Sequence, residues 1–400
     1  MKRNFVILSG IMFLLEIYVY QAFKSILEHP WQKILYWIIT IIPYILVVWL
    51  AFSIEKTDKS PLKIQVVAVI VLAIVLPKLF IIISLLIDDI ARLFGWIISY
   101  FSSGTTSYPG RRKFIGYIGI GLAATFSALI WDGVLFGRFR FKVRKVKVKL
   151  NNLPAAFKGY KIVQISDVHS GSFSKPEKLQ HAIDLINEQN ADLVLFTGDM
   201  VNNVAEEFQP FIPLFSQIKA KDGKLATLGN HDYGMYHYTN AEDGRNNVNR
   251  LIQYEKQAGF DMLRNEYRII EKNGEKLYIV GVENWGLPPF PQFGDLDKAT
   301  IGLPKDAAKI LMSHDPTHFD EIVKKHHSNI QLTLSGHTHG MQFGLDLKNT
   351  KWSPAQYRYP KWMDLYESLG KYLYVNRGFG VIGFPGRVGI DPEITLFILE

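Results

Sequence analysis

Ten of the eleven histidines in this 400-residue chain lie after residue 150. Several of them recur in short patterns with acids, amides and glycines. The patterns are Asp167-Val168-His169, Gly198-Asp199, Gly229-Asn230-His231-Asp232, a single His314, and Gly336-His337-Thr338-His339-Gly340. In extended chain, successive side chains alternate in direction, so Asp-x-His and His-x-His each place two donors on one side. Flanking glycines let the backbone turn sharply enough to aim such pairs into one cavity. A set of imidazole, carboxylate and amide donors suits Mn, Fe, Zn or Co better than Mg or Ca. Each piece alone has a plainer reading. Gly-Asp and Gly-Asn are common turn formers, and a single histidine is most often just hydrogen-bonded. Five in series, each after an apolar run, point to a metal site.

The elements that must position these residues follow from the apolar patterning. Strands are expected at Lys161–Ser166, Asp192–Thr197, Leu225–Leu228, Leu277–Val282, Lys309–Ser313, Gln331–Ser335, Tyr372–Asn376 and Ile394–Leu399. Between the first two, Leu179, Ala182, Ile183 and Ile186 recur at helical spacing after Pro176, which fits the first helical position. That makes a βαβ unit with parallel strands. Further helical patterns fall near Pro210–Ile218, Asn246–Ala258 and His318–His326. In open α/β sheets, ligands collect at the carboxyl ends of strands, which is where the five patterns sit.

The first part of the chain is of another kind. Four stretches, Phe5–Phe23, Ile34–Phe52, Val66–Ile87 and Phe114–Phe136, approach the roughly 20 apolar residues that span a bilayer as helix. Ile90–Phe101 is too short to cross, and reads as an interfacial helix or as an extension of the third span. Glu16, Pro77 with Lys78, and Asp132 are polar or helix-breaking positions within or near the spans. They read as an ion pathway or, more simply, as charges packed between helices.

Charge divides at the same place. Residues 1–150 hold 19 Lys and Arg against 7 Asp and Glu, and residues 151–400 hold 26 against 30. The net +8 is therefore no basic globular domain of the nucleic-acid-binding kind, and no nucleic acid is expected as partner. The expected anionic partner of the basic half is the lipid headgroup layer. With four spans, the positive-inside bias puts Lys2, Arg3, Lys56, Lys59, Lys63 and the following domain on the cytoplasmic face. Arg111-Arg112 before an apolar stretch resembles a twin-arginine export signal and argues the other way. Seven of the twelve residues in 138–149 are basic and alternate with apolar ones. This reads as an edge strand whose phase slips at Arg144-Lys145, as a bulge would cause. No cysteine is present, which excludes disulfides, thiolate metal sites and a cysteine nucleophile. No phosphate-cradling glycine loop or serine nucleophile elbow occurs either.

The histidine and acid motifs resemble those of the calcineurin-like metallophosphoesterase superfamily, and the tail Tyr374–Leu399 resembles its membrane-associated bacterial branch. The resemblance covers roughly residues 150–400. It implies a four-layer α/β/β/α sandwich of two mixed sheets, preceded by about four transmembrane helices. The implied division is 1–137 transmembrane, 138–150 basic linker or first strand, and 151–400 metallophosphoesterase domain. It implies two divalent metal ions, one on Asp167, His169 and His339, the other on Asn230, His314 and His337, with Asp199 bridging. His231 would stand near the leaving group as proton donor or transition-state stabiliser. The implied reaction is hydrolysis of a phosphomonoester or phosphodiester by a two-metal, metal-hydroxide mechanism, and the membrane anchor suggests a lipid-linked or envelope substrate. A metal-binding scaffold or sensor without turnover is the alternative. Two departures stand out: Asn202 replaces an acid that often orients the motif histidine, and Met341 replaces a frequent glycine.

Other residues are read more plainly. His181, His237, His318, His326 and His327 are surface or helix residues, and Asp232 stabilises a loop. Arg377 and Arg387 either meet a substrate anion or form structural ion pairs. The aromatic segment Gly344–Tyr366, with Trp352, Tyr357, Tyr359 and Trp362, is either a lid over an amphiphilic ester or a packed loop.

Overall fold

The structure is a computed structural model that describes residues 2–24, 26–53, 61–101 and 109–400. It forms two compact units that part between Leu135 and Phe136. Lys56 and Lys59, counted above toward the inner face, lie outside the described residues.

The first unit is helical: α1 (Lys2–Lys24), α2 (Pro30–Ser53), α3 (Pro61–Ile70), α4 (Lys78–Phe101) and α5 (Pro109–Leu135). Three stretches among the described residues are long and apolar enough to cross a membrane: Pro30–Leu50, Leu62–Phe101 and Gly110–Phe139. Ile90–Phe101 continues α4 without a break. Between α3 and α4 the chain forms a π turn, Val71–Val75, ahead of Pro77. Proline has no N–H to give the carbonyl four residues back, which here is that of Ala73. The Ser127 hydroxyl of α5 donates to that carbonyl instead (2.6 Å), as backbone in hydrocarbon requires. Asp88 of α4, with no exposed side-chain surface, accepts from Arg92 (2.7 Å), Arg111 (2.8 Å) and Arg112. Both arginines of the export-like pattern are thereby tied to α4.

The second unit contains β1 (Lys142–Val148), β2 (Lys161–Ile165), α6 (Gln180–Glu188), β3 (Leu193–Phe196), α7 (Ile212–Phe215), β4 (Lys224–Ala226), α8 (Ala241–Gln257) and β5 (Phe260–Met262). It continues with β6 (Glu266–Lys272), β7 (Glu275–Gly281), α9 (Leu296–Ala299), β8 (Lys309–Met312), α10 (Thr317–Glu321) and β9 (Leu332–Ser335). The last elements are a small hairpin, β10 (Leu345–Asp346) and β11 (Lys351–Trp352), then β12 (Asp364–Ser368), β13 (Lys371–Val375) and β14 (Glu393–Leu399).

Two six-stranded sheets result, ordered β1-β14-β2-β3-β4-β5 and β12-β13-β9-β8-β7-β6. Both are mixed. β2 through β5 run parallel, as do β7, β8, β9 and β13, while β14 is antiparallel to β2 and parallel to β1. Ile162, Leu193, Leu195 and Phe397 of one sheet pack against Ile279, Ile310, Leu332 and Leu334 of the other. On the outer face of the first sheet, Val163, Val194 and Phe196 meet Ile183 and Ile186 of α6 and Leu251 of α8. On the outer face of the second, Val280 and Leu311 meet Leu296, Ala299 and Phe319. The four layers are thus helix, sheet, sheet, helix.

One expectation about the sheet is corrected. β1 has no bulge: Lys142 to Val148 pair with Glu393 to Leu399 in unbroken parallel register. The phase slip is a change of face. Val143 packs toward the outer helical layer, whereas Val146 and Val148 pack between the sheets. Arg144, on the inner face, meets Asp346 and Glu393. Sequence patterning also missed β5, β6 and β12, short or half-exposed strands whose apolar alternation is weak.

Candidate metal centre

Each motif sits where a strand ends. Asp167 and His169 follow β2, Asp199 follows β3, Asn230 and His231 follow β4, His314 follows β8, and His337 and His339 follow β9. Parallel neighbours end at one edge, so these loops converge. Five of the residues turn in the left-handed region: Asp167 (φ 55°), His169 (48°), Asp199 (61°), His337 (70°) and His339 (51°). Non-glycine residues adopt that conformation only where the surroundings over-determine it, and such positions cluster at functional sites. The glycines are explained by crowding. A Cβ on Gly336 would fall on Ser166 Oγ and Asp167 Oδ2, and one on Gly229 would fall on Asp199 Oδ1.

Among the motif residues, two groups of potential ligand atoms form. Asp167, His169 and His339 make one, and Asp199, His314 and His337 the other, with the atoms in each lying within 4.8 Å of one another. His169 Nε2 and His339 Nε2 are 3.1 Å apart, and His339 Nε2 is 3.2 Å from Asp167 Oδ1. Asp199 Oδ2 stands between the groups, 3.6 Å from His169 Nε2 and 3.1 Å from His314 Nε2. His314 Nε2 is in turn 3.3 Å from His337 Nδ1. Asn230, expected in the second group, has a buried Oδ1 with no hydrogen-bond partner among the described residues. These donors fit divalent metal ions. Nitrogens crowd against nitrogens, and an amide oxygen is left with a free lone pair.

The charges of the site are strongly coupled. Burial pushes Asp167 and Asp199 toward the protonated form, but neighbouring histidines outweigh it, and both carboxyls lie below the usual range. Burial lowers His314 while Asp199 raises it further, to about 10. His169 and His337 are held below the ordinary value by burial.

Around the candidate ligands lies a ring of orienting contacts. His314 donates from Nδ1 to the Thr197 carbonyl (2.8 Å), which frees Nε2. The Tyr359 hydroxyl meets His337 Nε2 (2.8 Å), which frees Nδ1. Asn230 donates from Nδ2 to the Tyr236 hydroxyl (2.9 Å), which leaves its oxygen free to accept or to ligate. Such contacts fix the tautomer and ring orientation of ligands. Asp232 is a loop-stabilising acid, accepting from the backbone N–H of Asp199, Met200 and Gly229 at 2.8 Å each. Burial and the nearby Asp199 push its carboxyl up to about 7.

His231 donates from Nδ1 to the backbone carbonyl of Asn202 (2.7 Å), while its own N–H donates to Asp199 Oδ1 (2.8 Å). The missing acid at position 202 is therefore not needed to orient this ring. Met341 sits at φ 47°, which accounts for the glycine often found there.

Several alternatives that the sequence leaves open are resolved. Trp362 is 5% exposed and packs with Ala355, Tyr359, Met363 and Ile390, so much of the aromatic segment is a small core rather than a lid. Trp352 and Tyr357 do remain exposed. His318, in α10, is fully buried. Arg377 is a structural ion-pair residue, bound to Glu393 (2.6 Å) and Asp364 (2.7 Å). Arg387 is buried too, donating to the carbonyls of Gly378 and Gly380 (3.0 and 2.6 Å). Tyr236 and Tyr359 were missed as orienting residues, and only their aromatic type near the motifs hints at them.

Comparison with known proteins agrees with this site. Residues 160–341 match the family described as "Calcineurin-like phosphoesterase", and residues 2–138 match "Probable Calcineurin-like phosphoesterase, transmembrane domain". An uncharacterized metallophosphoesterase, YkuE, of Bacillus subtilis is 33% identical over 63% of this chain and 83% of its own length. A transmembrane protein with metallophosphoesterase domain from Danio rerio is 28% identical over 65% of this chain and 57% of its own. A Helicobacter pylori metallophosphoesterase is 27% identical over 72% of each. The chain belongs to the calcineurin-like metallophosphoesterases: it is a phosphoester hydrolase with an N-terminal transmembrane domain.

Proposed function

We propose that residues 151–400 hydrolyse a phosphomonoester or phosphodiester at a two-metal site, anchored by residues 1–137 and joined to them by the basic segment 138–150. The observation that supports this most is Asp199, whose Oδ2 lies between the two groups of ligand atoms. Asp167, His169 and His339 would hold one ion, and Asn230, His314 and His337 the other, with Asp199 shared. The donor set favours Mn, Fe or Zn. When bound, such a pair supplies positive charge for the phosphoryl oxygens and lowers the pKa of an attacking water.

The chain's own residues do the rest. Positioning and charge stabilisation are what phosphoryl transfer mainly needs, and the left-handed turns set the ligand carboxylates and rings in place. His231, tied through Nδ1 to a carbonyl that can only accept, keeps Nε2 for substrate. In its doubly protonated form it gives a proton to the departing ester oxygen. Tyr236 and Tyr359 hold Asn230 and His337 in the orientations that ligation needs.

The substrate class we favour is a lipid-linked phosphoester. The membrane anchor supports it, as do the exposed Met341, Leu345, Leu347 and Trp352 that follow His339 in the chain. We place the catalytic domain on the cytoplasmic face. The positive-inside bias supports this, and so does the engagement of Arg111 and Arg112 with Asp88.

The test uses the full chain purified in detergent, with metal content measured and aryl phosphomonoester and phosphodiester hydrolysis followed in Mn or Zn. Two metals per chain and turnover are expected. Asp199→Ala should reduce turnover about a thousandfold, of the order seen when a main stabiliser of transition-state charge is lost. Metal binding without turnover on either ester would favour the scaffold reading. Full activity of Asp199→Ala would overturn the site.

A further inference from the structure

The first unit contains a cavity of about 430 Å³ with an unusual polar end. Glu16, Tyr36, Thr40 and Lys78 line one part of it, and apolar residues such as Ile74 and Ile120 line the rest. Glu16 is 1% exposed. Its carboxylate accepts from Lys78 (2.6 Å), from the Tyr44 hydroxyl (3.1 Å) and from the Tyr36 hydroxyl. Ionisable residues inside a membrane mark functional sites more often than chance, and π turns are frequent at such sites. Here the π turn and Pro77 lead directly into Lys78.

The hydrogen-bond inventory says what the cavity can take. Both oxygens of Glu16 are already occupied, and its charge is matched by Lys78, so a cation finds no attraction there. The Lys78 ammonium has three hydrogens and gives one to Glu16. Its other hydrogens have no hydrogen-bond partner among the described residues, and apart from Thr40 and Ser127 the rest of the cavity wall is apolar side chains. The occupant must therefore join an apolar chain to an oxygen acceptor, and because the walls belong to the transmembrane domain it comes from the bilayer. Lysine binds phosphate as a point charge. We infer that this cavity is a binding site for a phospholipid, its chain along Ile74 and Ile120 and a phosphate oxygen on Lys78. This does not rest on the metal centre, and its test does not involve catalysis.

The experiment is native mass spectrometry of the full chain in detergent, with dioleoyl-phosphatidylglycerol as probe and dioleoylglycerol as the analogue lacking phosphate. One phosphatidylglycerol should be retained per chain. Dioleoylglycerol should bind about tenfold more weakly, the worth of one charge-assisted hydrogen bond. Ala124→Phe, which fills the cavity, should abolish retention of phosphatidylglycerol. Glu16→Gln with Lys78→Met removes the ion pair as a unit and so avoids an unpaired buried charge. It should erase the preference for phosphatidylglycerol over dioleoylglycerol. Arg92→Gln, which alters a charge that does not line the cavity, should change neither. Equal retention of the two lipids by the unaltered chain would overturn the inference, as would wild-type retention in Ala124→Phe or wild-type preference in the double variant.

Discussion

Two buried clusters of charge can be compared, one in each unit. In the membrane unit a single carboxylate, Glu16, is closed off by one ammonium and two hydroxyls, and its charge is cancelled. In the catalytic unit, two carboxylates face four imidazoles, with Nε2 atoms of His169 and His339 only 3.1 Å apart and Asn230 Oδ1 unsatisfied. The first cluster is complete as it stands and offers spare hydrogens. The second offers spare lone pairs. The lesson is that burial of charge does not define a site; what remains unpaired does, and its sign names the ligand.

The contrast can be broken most severely in the membrane. Lys78→Ala leaves Glu16 buried and unpaired, and should destabilise that unit by about 3 kcal/mol, the lower end for breaking one partner of a buried pair. Thermal unfolding in detergent checks this, and a loss under about 1 kcal/mol, the range of solvent-exposed pairs, would show the cluster is not closed. On the catalytic side, Tyr359→Phe removes the contact that fixes His337. Affinity for metal should fall about 10- to 100-fold, as for outer-shell partners of ligands elsewhere. A titration giving unchanged affinity would mean His337 is oriented by its packing alone.

A third test compares two histidines four residues apart. His314, beside Asp199, is raised to about 10, whereas His318, held down by burial with little help from Asp315, lies at about 4. His318 has a folded pKa below its unfolded value of about 6.5, so the unfolded chain takes up its proton first. Its contribution is present above pH 6.5 and is lost as the pH falls toward 4. His318→Gln should flatten the pH dependence of unfolding between those values; an unaltered slope would refute the assignment. The smallest effect is expected at Asn202. Because its carbonyl, not its side chain, holds His231, Asn202→Ala should keep turnover within about threefold, far less than the hundredfold or more of general acid–base catalysis. A larger loss would give the side chain a role through Ser172, which it contacts at 2.9 Å.

The residues proposed here as ligands could be picked out of the sequence because each follows an apolar strand, all but His314 within a short motif. The eight expected strands match β2, β3, β4, β7, β8, β9, β13 and β14 closely for the same reason, since burial on both faces makes them continuous apolar runs. What could not be read depends on partners that leave no mark on residue type. The carbonyl of Asn202 orients His231, yet any residue has a carbonyl. The Ser127 hydroxyl answers a carbonyl freed by Pro77, a pairing set by how the π turn packs against α5. In β1 the same alternation serves two faces in turn, so Val143 and Val146 look like a register slip until the sheet is seen. Tyr359 reaches His337 from a loop 22 residues on.

The position of β14 has a consequence for how the protein is made. It lies between β1 and β2, parallel to one and antiparallel to the other. The strand that leaves the membrane domain thus has no backbone partner until residues 393–399 have been synthesised. At about 5–20 residues per second, that wait is on the order of tens of seconds. During it, the seven basic residues of 138–149 are what keep an unpaired edge from joining another chain. Their charge guards the nascent sheet as well as the finished one.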